Sequence, residues 1–130
     1  MATKLTEFTD TDSFNAAFDE RSAQDGSFIV IFTGTINPET DESWCPDCVV
    51  AKPHIQRIVD EAAGRIDFLK GIVTREEWRG NTGHPYRQPP YGAQGVPTVI
   101  RFEGKQALYK VDELDQFQDQ DAMSMFLDGL

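Results

Sequence analysis

Long apolar stretches, basic residues, histidines and cysteines are all scarce in this chain of 130 residues. No window approaches the roughly 18 apolar residues that a membrane-spanning helix needs, and the N-terminus lacks the apolar core of a secretion signal. The charge balance is 12 basic against 22 acidic residues, a formal net charge of −10. Such a surface repels nucleic-acid phosphates and anionic lipids. We therefore expect a cytoplasmic protein that binds neither nucleic acid nor membranes.

The two histidines, His54 and His84, are too far apart to match the ligand spacing of a zinc site. Structural zinc commonly takes four ligands from two CxxC-like pairs, or from cysteines with closely spaced histidines. We expect His54 to be an ordinary helix residue and His84 to lie in an irregular segment. No bound metal or cofactor is expected, although metal binding by the cysteines stays an alternative.

Both cysteines lie in one motif, Trp44-Cys45-Pro46-Asp47-Cys48. Positions three apart share a helix face, so the two sulfurs can come within disulfide reach. A disulfide that closes so small a loop restricts the unfolded chain very little and is a poor structural staple. The spacing instead favours a reversible dithiol–disulfide couple, because a lone pair in a reducing compartment is more often catalytic or metal-binding.

Position within the motif assigns a role to each cysteine. Cys45 is expected at or just before a first helical turn, where unpaired N–H groups and the helix dipole favour the thiolate. Cys48 should lie one turn inside the helix, more buried and less acidic. We therefore expect Cys45 to attack a substrate disulfide and Cys48 to resolve the mixed disulfide.

The neighbours of the cysteines admit two interpretations each. Pro46 suits the first helical position, where a missing N–H costs nothing. Asp47 suits the helix dipole but opposes a thiolate beside it, so it is either an exposed acid or a group that tunes the couple. Trp44 is either a partly buried aromatic residue or a shield for the disulfide that contacts substrate.

Val96-Pro97 opens a late strand and is a second candidate part of the site. A trans proline at an edge strand is the ordinary alternative. With a CxxC motif upstream, we predict a cis Val96–Pro97 bond that leaves the Val96 backbone free to pair with an extended substrate beside Cys45.

Apolar periodicity predicts a single α/β domain over residues 1–130. The apolar run 28–32 is typical of a strand buried on both faces, which requires helices above and below it. Strands alternating with helices imply a parallel core, and a late hairpin adds antiparallel pairing, so the sheet should be mixed. The expected elements are an edge strand around Leu5 and Phe8, a helix from an Asp12 cap to Gly26, strand 28–32, a helix from the motif to Gly64, strand 66–73, strands 97–102 and 106–111, and a closing helix from Glu113.

The helices should each bury an apolar face, and the second should be kinked by Pro53. The expected apolar positions are Phe14, Ala17 and Phe18 in the first helix, Val49, Val50, Ile55, Ile58, Val59 and Ala62 in the second, and Leu114, Phe117, Ala122, Met125 and Phe126 in the last. Residues 74–95 are a variable insertion in which only one helical turn, Arg75-Glu76-Glu77-Trp78, is predicted. So long an irregular stretch is either functional or only partly ordered.

The motif, the preceding Phe32-Thr33-Gly34 and the late Val96-Pro97-Thr98 together resemble the thioredoxin-fold superfamily. The similarity is to its cytosolic thioredoxin-related branch, the thioredoxin domain-containing protein 17 type, and covers nearly the whole chain. The resemblance implies a thioredoxin-like fold and a disulfide reductase with Cys45 as nucleophile and Cys48 as resolver. It also implies electrons from NADPH through thioredoxin reductase, and substrates that are small disulfides such as cystine rather than large protein disulfides.

Two departures from ordinary thioredoxins affect this expectation. Their central strand carries a buried aspartate beneath the disulfide, whereas this chain is apolar there, near Ile31; the resemblance implies that Asp47 takes over proton handling. The insertion carries Trp78, Tyr86 and Tyr91, and would limit access by large substrates if it flanks the cysteines. A thioredoxin-fold scaffold that binds a partner protein, with its cysteines as a redox switch, is the alternative function.

Overall fold

A computed structural model describes residues 5–62 and 64–130 of the chain. Seven strands and five α-helices are found there, with 3₁₀ helices at Pro85–Arg87 and Met125–Leu127. The strands are β1 (Leu5–Phe8), β2 (Ser27–Gly34), β3 (Ile36–Asn37), β4 (Glu42–Ser43), β5 (Asp67–Val73), β6 (Thr98–Glu103) and β7 (Gln106–Val111). The helices are α1 (Thr11–Ser22), α2 (Pro46–Ala62), α3 (Arg75–Trp78), α4 (Leu114–Phe117) and α5 (Gln120–Ser124).

Five strands form one mixed sheet in the order β1-β5-β2-β6-β7. The central strand β2 is parallel to β5 and antiparallel to β6, while β1 is parallel to β5 and β7 antiparallel to β6. Ile31, in the middle of β2, faces Lys70 on one side and Val99 on the other. The prediction of a parallel core with a C-terminal antiparallel hairpin is confirmed.

The two faces of the sheet carry separate cores because side chains alternate along each strand. Phe28, Val30 and Phe32 of β2 point towards α1 and residues 74–95, in a core dominated by aromatic rings. Ile29 and Ile31 point the other way, into an aliphatic core with α2 and the C-terminal helices. All five of these side chains are buried.

Three helix boundaries differ from the predictions, the first being the end of α1, which lies at Ser22 and not at Gly26. The N-cap of α1 is Asp10, not Asp12: its carboxylate accepts a hydrogen bond from the Ser13 N–H at 3.0 Å. The predicted closing helix is broken into α4, α5 and a 3₁₀ turn, because the Asp119 side chain accepts from the N–H groups of Asp121 and Ala122 and starts a new helix there.

Some side chains also lie elsewhere than predicted. Val50 and Met125 were expected to be buried but are 38% and 55% exposed, since neither points towards the sheet. Pro53 lies inside α2 as predicted. The polar stretch before the motif contains a small hairpin, β3–β4, which the sequence did not reveal.

Residues 74–95 pack on the aromatic face of the sheet. The predicted turn at Arg75–Trp78 is confirmed as α3, which Thr74 and Glu77 start with a capping box. Four buried side chains of this segment cover the end of β2: Trp78, His84, Tyr86 and Tyr91. No helix within residues 5–62 and 64–130 combines the length and hydropathy needed to cross a membrane.

Candidate active site

Cys45 is the residue immediately before α2, and its sulfur caps the helix. Its carbonyl oxygen accepts the first helical hydrogen bond, from the Val49 N–H at 3.2 Å. Its Sγ accepts a hydrogen bond from the Cys48 N–H, also at 3.2 Å. Cys45 therefore takes the position in which a serine or aspartate side chain usually satisfies an orphan N–H. A negative sulfur there would be favoured by the same donor and by the helix dipole.

The loop before β6 approaches the same sulfur from the other side. The Cys45 thiol donates to the carbonyl oxygen of Val96 at 3.3 Å, and the Val96–Pro97 peptide bond is cis. Pro97 is buried and Val96 half-buried. The Val96 N–H has no acceptor anywhere in residues 5–62 and 64–130. This region of backbone therefore has one free donor next to the Cys45 sulfur.

Trp44 is anchored rather than free. Its side chain is half-buried against the aromatic core, and its Nε1 donates to the Val73 carbonyl at the end of β5, at 3.1 Å. The indole passes so close to Gly34 that a Cβ there would lie 2.8 Å from it. The contact with Gly34 is a site feature that the sequence analysis missed, although the Phe32-Thr33-Gly34 pattern was its visible signal.

Ser43, which the sequence did not single out, supports the start of the motif. Its Oγ accepts a hydrogen bond from the Cys45 N–H at 3.2 Å. Pro46 and Asp47 lie exposed in the first turn of α2. The Asp47 charge raises the pKa of Cys45, but less than the contacts with Cys48 and burial do.

The two thiols shift each other's pKa in opposite directions. A hydrogen bond between their side chains, joined by burial, raises the pKa of Cys45. The same hydrogen bond lowers the pKa of Cys48 to about 7, against the effect of burial and with help from Thr33, Gly34 and Ser43. The sequence predicts the opposite order. With the Cys48 pKa at about 7 the pair nevertheless carries a thiolate near neutrality, and the Cys48 N–H that donates to Cys45 Sγ favours negative charge on Cys45.

Burial does not separate the two cysteines as expected, since Cys45 is 5% exposed and Cys48 4%. The difference lies in what surrounds them. Cys48, but not Cys45, lines a cavity of about 470 Å³ between α2, the β3–β4 hairpin and the sheet. Ile31 lies on its floor, and Lys70, which forms an ion pair with Glu7 at 3.5 Å, lies at its edge. The aliphatic side chain of Ile31 therefore lines the same cavity as Cys48.

Neither histidine joins the cysteines. His84 is buried in the aromatic core, where its Nδ1 accepts a hydrogen bond from the Tyr86 N–H at 3.1 Å. Burial lowers its pKa. His54 lies half-buried on α2. Over the part of the chain that the structure describes, no three histidine, cysteine, aspartate or glutamate side chains are grouped as metal ligands.

The architecture is that of a thioredoxin. The chain is similar to thioredoxin NaTrxh from Nicotiana alata, with a TM-score of 0.59, 17% sequence identity, and coverage of 91% of this chain and 90% of that one. Thioredoxin f from spinach chloroplast gives a TM-score of 0.60 at 17% identity, over 98% and 96% of the two chains. A thioredoxin-fold domain with a neighbouring cysteine pair is characteristic of thiol oxidoreductases.

Sequence similarity identifies the family to which the chain belongs within the thioredoxin fold. Residues 7–128 match the thioredoxin domain of thioredoxin domain-containing protein 17-like proteins, and the chain belongs to this family. It is 35% identical over 88 residues to thioredoxin-like protein Clot of Arabidopsis thaliana, covering 66% of this chain and 64% of that protein. It is also 38% identical over 88 residues to an acireductone dioxygenase of Leishmania infantum, covering 63% of this chain but only 26% of that longer protein. The resemblance to this family, drawn from the cysteine motif, Phe32-Thr33-Gly34 and Val96-Pro97-Thr98, is confirmed.

Proposed function

We propose that this protein is a disulfide reductase in which Cys45 attacks the substrate and Cys48 resolves the mixed disulfide. One observation carries the proposal: the Cys45 sulfur lies between a helix N–H at 3.2 Å and the Val96 carbonyl at 3.3 Å. The first contact stabilises a thiolate, and in the second, made by the protonated thiol, the same sulfur lies beside backbone that can bind an extended chain.

The proposed reaction has two steps. The Cys45 thiolate attacks one sulfur of the substrate, forms a mixed disulfide and releases the other substrate sulfur, which takes up a proton. Cys48, as the thiolate, then attacks Cys45, forms the Cys45–Cys48 disulfide and releases the second substrate sulfur, which takes up a second proton; the two protons balance those that Cys45 and Cys48 give up. Two electrons pass to the substrate in total. NADPH, through thioredoxin reductase, is the proposed source of the two electrons that restore the dithiol.

The surrounding residues receive supporting roles. Trp44, held against β5, would shield the sulfurs and contact the substrate. Pro46 would set the first helical turn without a surplus donor, and Asp47 would tune the couple. Val96 and Pro97 would bind the substrate backbone. We propose small or selected disulfides as substrates and the cytoplasm as the location.

The experiment uses the purified chain with NADPH, thioredoxin reductase and cystine, and follows NADPH oxidation. We expect Cys45→Ser to fall to the background rate and Cys48→Ser to accumulate a mixed disulfide that mass spectrometry detects. Val50→Ala, an exposed change in the same helix, is the matched control and should retain full activity. A second arm, single-turnover reduction of cystine by prereduced protein, separates an unsuitable reductase from an inert dithiol. Full activity of Cys45→Ser in both arms would refute the proposal.

A further inference from the structure

The backbone of residues 94–96, which leads into the Val96–Pro97 bond, is held almost entirely by side chains. Three successive carbonyl oxygens each accept one side-chain hydrogen bond. Gln94 accepts from Arg87 Nη1 at 2.7 Å, Gly95 from Thr98 Oγ1 at 2.6 Å, and Val96 from the Cys45 thiol at 3.3 Å. Within the described chain, no backbone-to-backbone hydrogen bond joins these three residues to the rest of the protein.

Packing holds Val96, whose half-buried side chain contacts the aromatic core, but it does little for the two residues before it. Gln94 is exposed and Gly95 half-buried. A Cβ placed on Gly95 would meet no atom within 4 Å, so open space surrounds the backbone there. Beyond the packing of the Val96 side chain, the three side-chain donors therefore position the backbone that carries the Val96 carbonyl and N–H.

Arg87 is the donor that ties the loop to the insertion. Its guanidinium lies 3.8 Å from the centre of the Trp78 ring, and Nη2 donates to the Trp78 carbonyl at 3.1 Å. Nη1 is then aimed at Gln94. Because the guanidinium is a planar fork, stacking on the indole fixes the directions of both donors. Because Trp78 is buried in the aromatic core, its position is fixed. Arg87, held on Trp78, therefore holds the loop in a fixed position as well.

The Cys45 donor is available only in the reduced protein. Once Cys45 has formed a disulfide with a substrate, its sulfur has no proton to donate, and the Val96 carbonyl is released to accept from the substrate. Arg87 and Thr98 are then the remaining holds on residues 94–96. The arginine thus matters most in the state that has bound substrate.

We propose, resting on the reductase function above, that Arg87 is a positioning residue that holds the substrate-binding backbone at Val96 in register with Cys45. It acts through the Gln94 carbonyl and touches no reacting atom. The insertion then supports the backbone of residues 94–96. Loss of this support should weaken the binding only of substrates that pair with the Val96 backbone.

The test compares two substrates in Arg87→Met, with Arg79→Met as the matched control. Arg79 lies in the same insertion, is exposed, and its side chain has no hydrogen-bond or ion-pair partner among the described residues. One substrate is a decapeptide dimer joined by a single disulfide, which can pair with Val96. The other is 2-hydroxyethyl disulfide, which has no peptide backbone.

Arg87→Met should raise KM for the peptide roughly five- to tenfold, the effect of one or two hydrogen bonds. The kcat for the peptide and both constants for 2-hydroxyethyl disulfide should stay within about twofold of wild type. Arg79→Met should match wild type throughout, and Arg87→Lys, which keeps the charge but loses the fork, should give an intermediate KM.

A purely structural role would lower kcat for both substrates together, and that result, or an unchanged peptide KM, would overturn the proposal. If Arg87→Met does not fold, Thr98→Val removes the neighbouring donor without altering the insertion and must give the same peptide-specific rise in KM; its absence would equally overturn it. Wild type that reduces neither substrate would instead refute the reductase function, so the two failures are distinguishable.

Discussion

Two walls border the cysteine pair, and they are held in place by different kinds of interaction. In the helix wall, Trp44 to Cys48, the hydrogen bonds that start α2 join residues close in sequence, such as Cys45 Sγ and the Cys48 N–H, and the Trp44 indole adds one distant partner, the Val73 carbonyl. The loop wall, residues 94–97, has no helical hydrogen bonds: its carbonyls accept from the side chains of Thr98 and Arg87 and from a thiol 51 positions away. The first wall follows from local helix chemistry, whereas the second exists only when the insertion and the sheet are assembled.

The largest expected effect concerns the aromatic core that supports the loop wall. The Phe32 ring stacks on Tyr86 with 4.3 Å between ring centroids. Phe32→Ala should lower the free energy of unfolding by about 3–5 kcal/mol, because it removes a fully buried ring and leaves a cavity. Urea denaturation measures this. Ile31→Val, on the opposite face of the same strand, is the control and should cost only about 1 kcal/mol; equal losses would contradict a special dependence on the aromatic face.

The next effect tests the helix wall through pH. Since the neighbouring Cys45 side chain lowers the pKa of Cys48 to about 7, thiolate is present above that pH and disappears as pH falls through it. Alkylation of the reduced protein by iodoacetamide should therefore rise roughly thirtyfold between about pH 5.5 and 8. Cys45→Ala removes the main cause, so the midpoint for Cys48 should move upward. A midpoint that stays near 7 in this variant would show that the thiols are not coupled.

A glycine that contacts the helix wall, Gly34 of β2, and a glycine in the loop wall, Gly95, should respond differently to an added methyl group. In Gly34→Ala the new Cβ would lie 2.8 Å from both Ser43 Oγ and the Trp44 ring, so the start of the motif must shift. We expect a loss of about 1–3 kcal/mol in stability, with reduced cystine turnover. Gly95→Ala enters open space and should leave stability and turnover nearly unchanged. The comparison fails if both variants behave alike.

The smallest effects come from two tyrosines of the insertion. The Tyr91 hydroxyl donates to Asn15 Oδ1 of α1 at 2.6 Å, so Tyr91→Phe should cost about 1 kcal/mol of stability. The Tyr86 hydroxyl is buried and has no hydrogen-bond partner in the described part of the chain. Tyr86→Phe should therefore be neutral or slightly stabilising. Thermal unfolding of both variants side by side decides the matter, and a greater loss in Tyr86→Phe would reverse this interpretation.

The sequence-based predictions were accurate where an element depends on residues close together in the chain, and less accurate where it depends on particular side-chain contacts. Strand β2 and helix α2 were predicted because a buried apolar run and a helical period are local patterns. The cap of α1 was misplaced because Asp10 and Asp12 are both suitable N-cap residues, and only the Ser13 N–H chooses between them. The break at Asp119 was missed for a similar reason, since its side chain competes with continued helix.

The insertion shows why the rest could not be predicted. Its arginines and aromatics are visible in the sequence, but their partners are not. Tyr91 meets Asn15, 76 positions away, and Arg87 meets the Gln94 carbonyl with one end of a guanidinium whose other end is held by the Trp78 carbonyl. Contacts at such separations leave no period in the sequence.

By itself, the amino-acid sequence determined that the two sulfurs are neighbours, since local backbone geometry brings together side chains one helical turn apart at a helix start. Only the tertiary structure decided the surroundings of the sulfurs, namely which of the two thiols has the lowered pKa, what lines the cavity beside Cys48, and which side chains hold Val96 against Cys45. Those features depend on side chains that are distant in the chain and meet only after the sheet has formed.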